Sequence, residues 1–290
     1  MTESGSGAAL LLGTVQFGLA YGVAGRGEVV PEAEVRSVLE LATSSGITAL
    51  DTAPAYGDIE ARLATLCEGL PLSIVSKIAP IPPDTSDAGA AVRASVGLSR
   101  TRLGDRLTTL LFHRADDLLR PDADMIWRSA LDEAGSVRVG VSVYDPATLV
   151  TLRSRYGVSV AQVPANPLDQ RLRRPGVADA LAGVEIHARS VFLQGLLLLP
   201  PSDVRARVPA AVEAHATWTA WCESRGLSPL LAALAVTRAF PGVSACVVGV
   251  DQRSQLQQIV AAAQHAGPLD APMLQCDDLD VIDPRRWTAA

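Results

Sequence analysis

The sequence contains almost no lysine: of its 25 basic residues, only Lys77 is a lysine. Asparagine is as scarce, and Asn166 is its single occurrence. Lysine and asparagine both have A-rich codons. A GC-rich coding sequence would therefore replace lysine with arginine wherever only the charge matters. Lysine carries a compact charge, whereas the guanidinium is a wide and permanently charged fork. A retained lysine therefore indicates a position that needs an ammonium group, with chance survival as the alternative.

Cysteine pairs and excess positive charge are also missing. The net charge of −6 and the pI near 5.3 argue against nucleic acid and anionic membranes as partners. No two histidines have the spacing of metal ligands, so no metal is expected. The spacing of the four cysteines indicates reduced thiols rather than a disulfide or zinc framework. These residues are Cys67, Cys222, Cys246 and Cys276.

Long apolar runs are absent as well. No segment approaches the ~20 apolar residues that are needed to span a bilayer. The N-terminal MTESGSGAALLLG has no basic residue before its short apolar run, unlike a secretory signal. We therefore expect a soluble cytoplasmic protein, either a monomer or a small homo-oligomer, with a small molecule as its partner.

Short β-like runs alternate with longer helix-like segments along the whole chain. Strands are predicted at 10–16, 47–51, 72–77, 107–113, 137–142, 158–163, 184–189 and 243–248. Helices are predicted at 31–45, 58–68, 87–103, 121–134, 145–156, 175–182, 204–225, 228–239 and 251–264. Repeated β-then-α order implies parallel strands with helical crossovers. Eight such units in 290 residues favour an α/β fold with a single (β/α)8 barrel.

The domain organisation follows from the lack of any internal boundary. No linker, charge block or low-complexity stretch divides the chain, so residues 1–290 are predicted to form one domain. Residues 1–8 are expected to be disordered. Residues 266–290 lie beyond the last predicted helix and are expected to form a C-terminal tail over the barrel mouth.

Three chemically active side chains close successive predicted strands. Asp51 ends the second strand, Lys77 the third and His113 the fourth, while Tyr56 follows Asp51 in the loop TAPAYG. In such a barrel, the C-terminal ends of the strands surround the mouth where active sites are built. Taken singly, Asp51 could cap a helix, and Tyr56 and His113 could be structural. Their joint occurrence with the only lysine favours a catalytic set.

This set of side chains can protonate a carbonyl oxygen. A tyrosine with its ordinary pKa of about 10 is a poor acid at neutral pH. An adjacent ammonium lowers that pKa by stabilising the phenolate. We therefore predict Tyr56 as the general acid, with Lys77 lowering its pKa. Asp51 would anchor Lys77, and His113 would orient the carbonyl group or assist proton transfer.

Eight segments of the chain resemble motifs of the aldo-keto reductase family, and they occur in family order. They are GTVQFGLAYG (13–22), LDTAPAYG (50–57), SK (76–77), LLFHR (110–114), VGVSVY (139–144), AQVPAN (161–166), ARSVFLQGLL (188–197) and VVGVDQRSQLQQI (247–259). The chain looks like the bacterial branch with an N-terminal GTVQFG-YG element. The resemblance implies a TIM barrel and a nicotinamide cofactor bound without a Rossmann domain. It also implies the catalytic tetrad Asp51, Tyr56, Lys77 and His113.

The resemblance also assigns residues to the nicotinamide end of the cofactor. Ser142 and Gln162 match positions that hold the carboxamide, although Val143 stands where the family often has asparagine. Arg189 occupies the place of the residue that flanks the nicotinamide ring. A turn similar to the pyrophosphate loop of the family contains Ser190, Leu193 and Gly195.

The adenosine end is implied to lie after the eighth predicted strand, from Gly249 onward. Arg253 is the candidate for the 2′-phosphate and Gln258 for the adenine, whereas an inward Asp251 would disfavour a phosphate. NADP(H) is favoured by the resemblance, and NAD(H) stays open. Asn166, kept under the same codon pressure as Lys77, is predicted to line the substrate pocket, with a role in a turn as the alternative.

The expected activity is the NAD(P)H-dependent reduction of an aldehyde or ketone to an alcohol, or the reverse. The alternative is a regulatory or sensor subunit on the same scaffold, which binds the cofactor with little turnover. Aromatic residues make up only 4% of the chain, which argues against a pocket lined by many rings. A polar substrate, such as a sugar or a biosynthetic intermediate, is therefore favoured.

Overall fold

A computed structural model of the protein describes residues 8–25 and 27–287. The segment that was expected to be disordered, 1–8, lies outside the described residues except for Ala8. Ala8 is buried at the start of the barrel, and the expectation for residues 1–7 stays a prediction.

Within the described residues, eight parallel strands close into a barrel in chain order. They are β1 (Ala9–Gly13), β2 (Ala49–Asp51), β3 (Ser73–Ile78), β4 (Leu107–Phe112), β5 (Arg138–Ser142), β6 (Val160–Pro164), β7 (Glu185–Arg189) and β8 (Val243–Gly249). The barrel closes where β8 pairs with β1, in a register that ends with Gly13 beside Gly249. The prediction of a (β/α)8 barrel is confirmed.

The helices lie between the strands in sequence, as the alternating pattern predicts. They are α1 (Val15–Gly18), α2 (Glu32–Ser44), α3 (Ile59–Leu66), α4 (Ala88–Leu103), α5 (Ala123–Ala134), α6 (Pro146–Tyr156), α7 (Val177–Ala180), α8 (Pro201–Arg207), α9 (Val212–Ser224), α10 (Pro229–Arg238), α11 (Arg253–His265) and α12 (Leu279–Ile282). The single helix predicted over 204–225 is wrong, because α8 ends before Pro209 and a 3₁₀ turn separates it from α9. Proline has no N–H to donate inside a helix.

The inside of the barrel is filled by a small apolar cluster below the mouth. Its buried members are Leu11, Val75, Leu111, Val160 and Ala245. Side chains two residues apart on a strand point to the same face of the sheet. Polar residues lie two positions after Val75, Leu111 and Val160. The alternation that fills the barrel with apolar side chains therefore brings Lys77, His113 and Gln162 to its mouth.

The C-terminal tail runs along the loop that follows β6. The Cys276 amide donates to the Leu168 carbonyl oxygen at 2.9 Å, which attaches the tail to that loop. Near its end the tail reaches the mouth, where the Arg285 guanidinium carbon lies 3.5 Å from the centroid of the Tyr144 ring. Among the described helices, none combines the length and apolar character required to cross a membrane.

Candidate active site

The four residues of the predicted tetrad lie in one cavity at the C-terminal end of the barrel. Asp51, Lys77 and His113 enter it from β2, β3 and the end of β4, and Tyr56 enters from the loop after β2. The cavity has a volume of about 600 Å³, which is in the range of small-molecule sites. The sequence prediction that these strand ends meet at one mouth therefore agrees with the geometry.

Lys77 is fully buried and is held by three acceptors. Its Nζ lies 2.8 and 2.9 Å from the two carboxylate oxygens of Asp51 and 2.9 Å from the Thr52 carbonyl oxygen. Burial acts to lower the pKa of Lys77, but the Asp51 carboxylate and Tyr56 outweigh it, so this pKa lies above its usual value. Lys77 is therefore held in its charged form at the base of the cavity.

Tyr56 contacts both Lys77 and His113. The Lys77 Nζ lies 5.2 Å from the centroid of the Tyr56 ring, and the His113 ring meets that ring edge-on at 5.9 Å. Burial raises the pKa of Tyr56 above its usual value, while the Lys77 charge opposes that rise. The sequence expectation of a net lowered pKa is therefore wrong for this site, because burial is the larger effect. Tyr56 stays protonated at neutral pH, as a proton donor must.

His113 is a neutral imidazole at neutral pH. Burial lowers its pKa to about 4, and the nearby Lys77 charge adds to this shift. The His113 Nδ1 is buried and has no hydrogen-bond partner among the described residues. An unpaired buried nitrogen costs stability. The Nδ1 of His113 is therefore available for a hydrogen bond with a bound ligand.

The loop that carries Tyr56 is positioned by close backbone contact with α1. A side chain at Gly18 would overlap the Tyr56 carbonyl oxygen, and a Cβ at Gly57 would lie 2.6 Å from the Gly18 carbonyl oxygen. Gly57 also has φ of +68°, which favours glycine. The hydroxyl of Thr14 donates to the Asp51 carbonyl oxygen at 3.0 Å. The first two motifs of the chain therefore pack together to place the tetrad.

Most of the residues that the sequence assigns to a cofactor line the same cavity. Those residues are Ser142, Gln162, Arg189, Ser190, Gly195, Gly249 and Gln258. The Gln162 Nε2 donates to Asp51 Oδ1 at 2.7 Å. The amide N–H of Gln162 is therefore engaged by the tetrad, and its Oε1 is the atom left to accept a hydrogen bond.

The turn after β7 has an unusual backbone. Ser190, Leu193 and Gln194 have φ of 58°, 48° and 54°, and Gly195 has φ of 89°. Left-handed conformations cost about 1–3 kcal/mol each at such non-glycine positions and cluster at ligand sites. The turn resembling the pyrophosphate loop is therefore strained where it lines the cavity.

Three residues of the predicted site do not line the cavity. The Arg253 Nη1 donates to the Ser37 carbonyl oxygen at 2.7 Å, so this guanidinium lies on α2. Leu193 is buried in the core. Asn166 donates to the Ser190 carbonyl oxygen at 3.1 Å and accepts from the amides of Leu168 and Asp169. Asn166 therefore braces two loops, which is the turn role that the sequence left open.

Sequence reasoning missed several side chains of the cavity. They include Tyr21, Tyr144 and Phe192. Together with the predicted Tyr56, three of the four tyrosines in the chain line the cavity. The expectation of a mouth with few rings is therefore wrong, because the rare aromatic residues are concentrated there. Tyr21 is the penultimate residue of the motif at 13–22 and Tyr144 the last residue of the motif at 139–144, and those positions were the available signal. Within the described residues, no cluster of His, Cys, Asp or Glu could hold a metal ion.

The sequence pattern of the Aldo/keto reductase family matches residues 9–277. The chain belongs to this family. Aldo/keto reductases are oxidoreductases of carbonyl compounds that generally use nicotinamide cofactors. Among curated proteins, none matches the chain.

Solved structures of other aldo/keto reductases are similar in fold. The holo form of the aldo-keto reductase AKR11C1 from Bacillus halodurans is 20% identical, with a TM-score of 0.71 over 97% of this chain and 95% of that one. A candidate aldo-keto reductase from Pseudomonas aeruginosa is 28% identical, with a TM-score of 0.64 over 90% of this chain and 91% of that one. The glycerol dehydrogenase AKR11B4 from Gluconobacter oxydans is 20% identical, with a TM-score of 0.67 over 90% of this chain and 87% of that one.

Proposed function

We propose that this aldo/keto reductase catalyses the NAD(P)H-dependent reduction of an aldehyde or ketone, with Tyr56 as the general acid. The observation that carries the proposal is the buried ion pair of Lys77 with Asp51, beside a protonated Tyr56. A buried ion pair is costly to maintain for stability alone. The ion pair lies beside Tyr56, and among the described residues no other tyrosine contacts both Lys77 and His113. A role in proton transfer from Tyr56 accounts for this position.

The residues present fit a nicotinamide dinucleotide. The Gln16 Oε1 is buried in the cavity wall without a partner among the described residues, and the Gln162 Oε1 is a second acceptor. Ser142 and Gln162 would hold the carboxamide, and Arg189 would flank the ring. When bound, the cofactor supplies the hydride. The pyrophosphate and adenine would be held by Ser190, Gly195, Gly249 and Gln258.

The tetrad divides the proton transfer among its members. The Tyr56 hydroxyl gives its proton to the carbonyl oxygen as the carbonyl carbon accepts the hydride, so the product is an alcohol. Lys77 stabilises the negative charge that then develops on the Tyr56 oxygen, which lowers the barrier. Asp51 keeps Lys77 charged and in place. Neutral His113 can donate a hydrogen bond to the carbonyl oxygen without competing as an acid.

NADP(H) remains the proposed cofactor, but its preference over NAD(H) should be small. The only support for a phosphate contact was Arg253, whose guanidinium donates to Ser37 on α2. A 2′-phosphate would have to draw Arg253 away from that carbonyl. We expect Arg253→Ala to change the dissociation constants of NADPH and NADH alike. A loss of more than tenfold for NADPH alone would show that Arg253 swings to the phosphate.

The proposed function is tested with Tyr56→Phe and the matched control Tyr156→Phe. Tyr156 donates to Asp124 on the outer surface and does not line the cavity. NADPH oxidation with 4-nitrobenzaldehyde should fall ~100- to 10,000-fold in Tyr56→Phe, because general acid catalysis is lost. The dissociation constant of NADPH, measured by fluorescence, should stay within about twofold. Tyr156→Phe should keep full activity.

Two outcomes would contradict the proposal. Retention of most of kcat by Tyr56→Phe would remove this residue as the acid. Tight NADPH binding by the wild type without oxidation across a broad panel of carbonyl compounds would favour the regulatory subunit instead.

A further inference from the structure

We propose that the substrate of this reductase carries a carboxylate, and that Arg189 binds this carboxylate at the cavity mouth. The inference rests on the proposed function and adds the class of substrate. It follows from the charges and rings that line the cavity near Tyr56.

Arg189 supplies positive charge at the reaction end, and no described carboxylate forms an ion pair with it. Lys77 is balanced by Asp51, and His113 is neutral at pH 7. No carboxylate in the described part of the chain lies within 4.0 Å of the Arg189 guanidinium, which bonds instead to the Val143 carbonyl oxygen at 3.1 Å and the Ser190 hydroxyl at 3.4 Å. Those two bonds use two of its five N–H groups. The remaining donors suit an anion.

Arg189 is close enough to the reacting groups to hold a substrate there. Besides burial and the Lys77 charge, the Arg189 charge helps to lower the pKa of His113. It also opposes the burial that raises the pKa of Tyr56. A guanidinium binds a carboxylate through two parallel hydrogen bonds. A carboxylate on Arg189 would therefore fix one end of a substrate whose carbonyl group reaches Tyr56.

The C-terminal tail positions Arg189 through Tyr144. The guanidinium carbons of Arg189 and Arg285 lie 4.1 and 3.5 Å from the centroid of the Tyr144 ring. Arg285 is in turn held by Asp283, with 2.9 Å between Nε and Oδ1. Arginine stacks well on aromatic faces. Arg285 is therefore a positioning residue, which acts on the substrate only through the ring that supports Arg189.

The rings of the mouth suggest the shape of the substrate body. Tyr21, Tyr144 and Phe192 line the cavity together with Arg189. Flat apolar walls around one guanidinium fit a flat or extended carboxylic acid better than a neutral sugar. Transition-state binding of the carboxylate would then select this class over uncharged carbonyl compounds.

The experiment compares two aldehydes that differ in one charge, 4-formylbenzoate and its methyl ester. We expect the wild type to reduce the carboxylate with a kcat/KM at least about tenfold higher, because a charge-assisted bond contributes a factor of ~10–100. KM for the carboxylate should rise with ionic strength, and KM for the ester should not.

The variants separate binding from positioning. In Arg189→Gln the preference for the carboxylate over the ester should fall to about one, while any loss of cofactor contact affects both aldehydes alike. Arg285→Gln should raise KM for the carboxylate about three- to fivefold with little change in kcat, since only the support of Arg189 is lost. Arg128→Gln, an equal charge change on the exposed face of α5, should leave the preference unchanged.

The outcomes of the two proposals can be told apart. Reduction of both aldehydes without preference, or an unchanged preference in Arg189→Gln, overturns the carboxylate site and leaves the reductase. Failure to reduce either aldehyde counts against the reductase, and calorimetry then decides the carboxylate site. In the presence of NADP⁺, 4-(hydroxymethyl)benzoate should bind more tightly than its methyl ester, and this difference should vanish in Arg189→Gln. Equal binding by the wild type would overturn the site.

Discussion

The Gln162 Nε2 donates to the Asp51 Oδ1 at 2.7 Å, across the barrel from β6 to β2. Asp51 therefore accepts hydrogen bonds from both Gln162 and Lys77. The bond also fixes which end of the Gln162 amide faces the cavity. A residue assigned to the cofactor and a residue assigned to proton transfer are thus one hydrogen-bonded unit.

Replacing Gln162 should therefore damage catalysis as well as cofactor binding. In Gln162→Met, Asp51 loses a donor and the cavity loses an acceptor, so kcat/KM should fall ~10- to 100-fold, as expected for a hydrogen bond to a charged group. The dissociation constant of NADPH, measured by fluorescence titration, should rise about tenfold. Gln257→Met on the exposed face of α11 is the matched control. Weaker NADPH binding with an unchanged kcat would show that the bond to Asp51 has no catalytic role.

The lowered pKa of His113 should make the protein less stable in acid. Burial and the Lys77 charge hold the pKa at about 4, against about 6.5 in the unfolded chain. Below pH 6.5 the unfolded chain binds a proton that the folded chain does not, so the free energy of unfolding falls as the pH drops towards 4. Between pH 7 and 4.5 this amounts to about 2 kcal/mol.

Urea unfolding at pH 7 and pH 4.5 checks this linkage. His113→Gln lacks the titrating group, so its free energy of unfolding should fall by about 2 kcal/mol less than that of the wild type over this interval. His265→Gln, at an exposed position of α11, should behave like the wild type. The same loss of stability in His113→Gln and the wild type would mean that His113 is not the group responsible.

The strand-end residues could be predicted from sequence because alternation along a strand is a local rule. Val75 fills the barrel, so Lys77 must reach the mouth, and the same holds for Leu111 with His113. Nothing more than the position of each strand was needed. The pKa of Tyr56 could not be predicted in this way, because it depends on how deeply the ring is buried against how close Lys77 lies.

Contacts between distant segments could not be predicted from the sequence either. Arg253 was assigned by family position and Asn166 by its rarity in the chain, but Arg253 lies on Ser37 and Asn166 braces Ser190. The direction of these side chains is decided by neighbours from other segments of the chain. Arg285 lies in a tail with no helical or strand periodicity, so its contact with the mouth had no sequence signal.

Gly18 should be indispensable for placing Tyr56. In Gly18→Ala the new methyl group would overlap the Tyr56 carbonyl oxygen and crowd Ile59 at 3.2 Å, so the loop must move. A displacement of ~1 Å of a reacting group costs on the order of 100-fold in rate. We expect kcat to fall at least about tenfold, and the thermal midpoint to drop. Gly267→Ala, where no atom lies within 4 Å of the new methyl group, is the matched control. An unchanged kcat in Gly18→Ala would show that the loop absorbs the methyl group.

Lys77→Arg should cost nearly as much activity as Lys77→Met, although it keeps the charge. Lys77 is only 1% exposed, and its Nζ bonds to Asp51 and Thr52. The planar guanidinium is wider and cannot act as a point donor in that space. Overpacking such a site costs about 1–3 kcal/mol and shifts the neighbouring side chains, Tyr56 among them. The kcat/KM of both variants should be reduced by at least about 100-fold.

The two Lys77 variants should differ in stability, which separates the ion pair from the chemistry. Lys77→Met leaves the Asp51 carboxylate buried with Gln162 as its remaining side-chain donor, and breaking a buried pair in this way costs about 3–5 kcal/mol. The free energy of unfolding should fall less in Lys77→Arg than in Lys77→Met. The double variant Asp51→Asn/Lys77→Met removes both charges, so it should recover much of the stability but none of the activity. Wild-type rates in Lys77→Arg would mean that the single lysine of this chain was an accident of its codons, and that the ammonium has no specific role beside Tyr56.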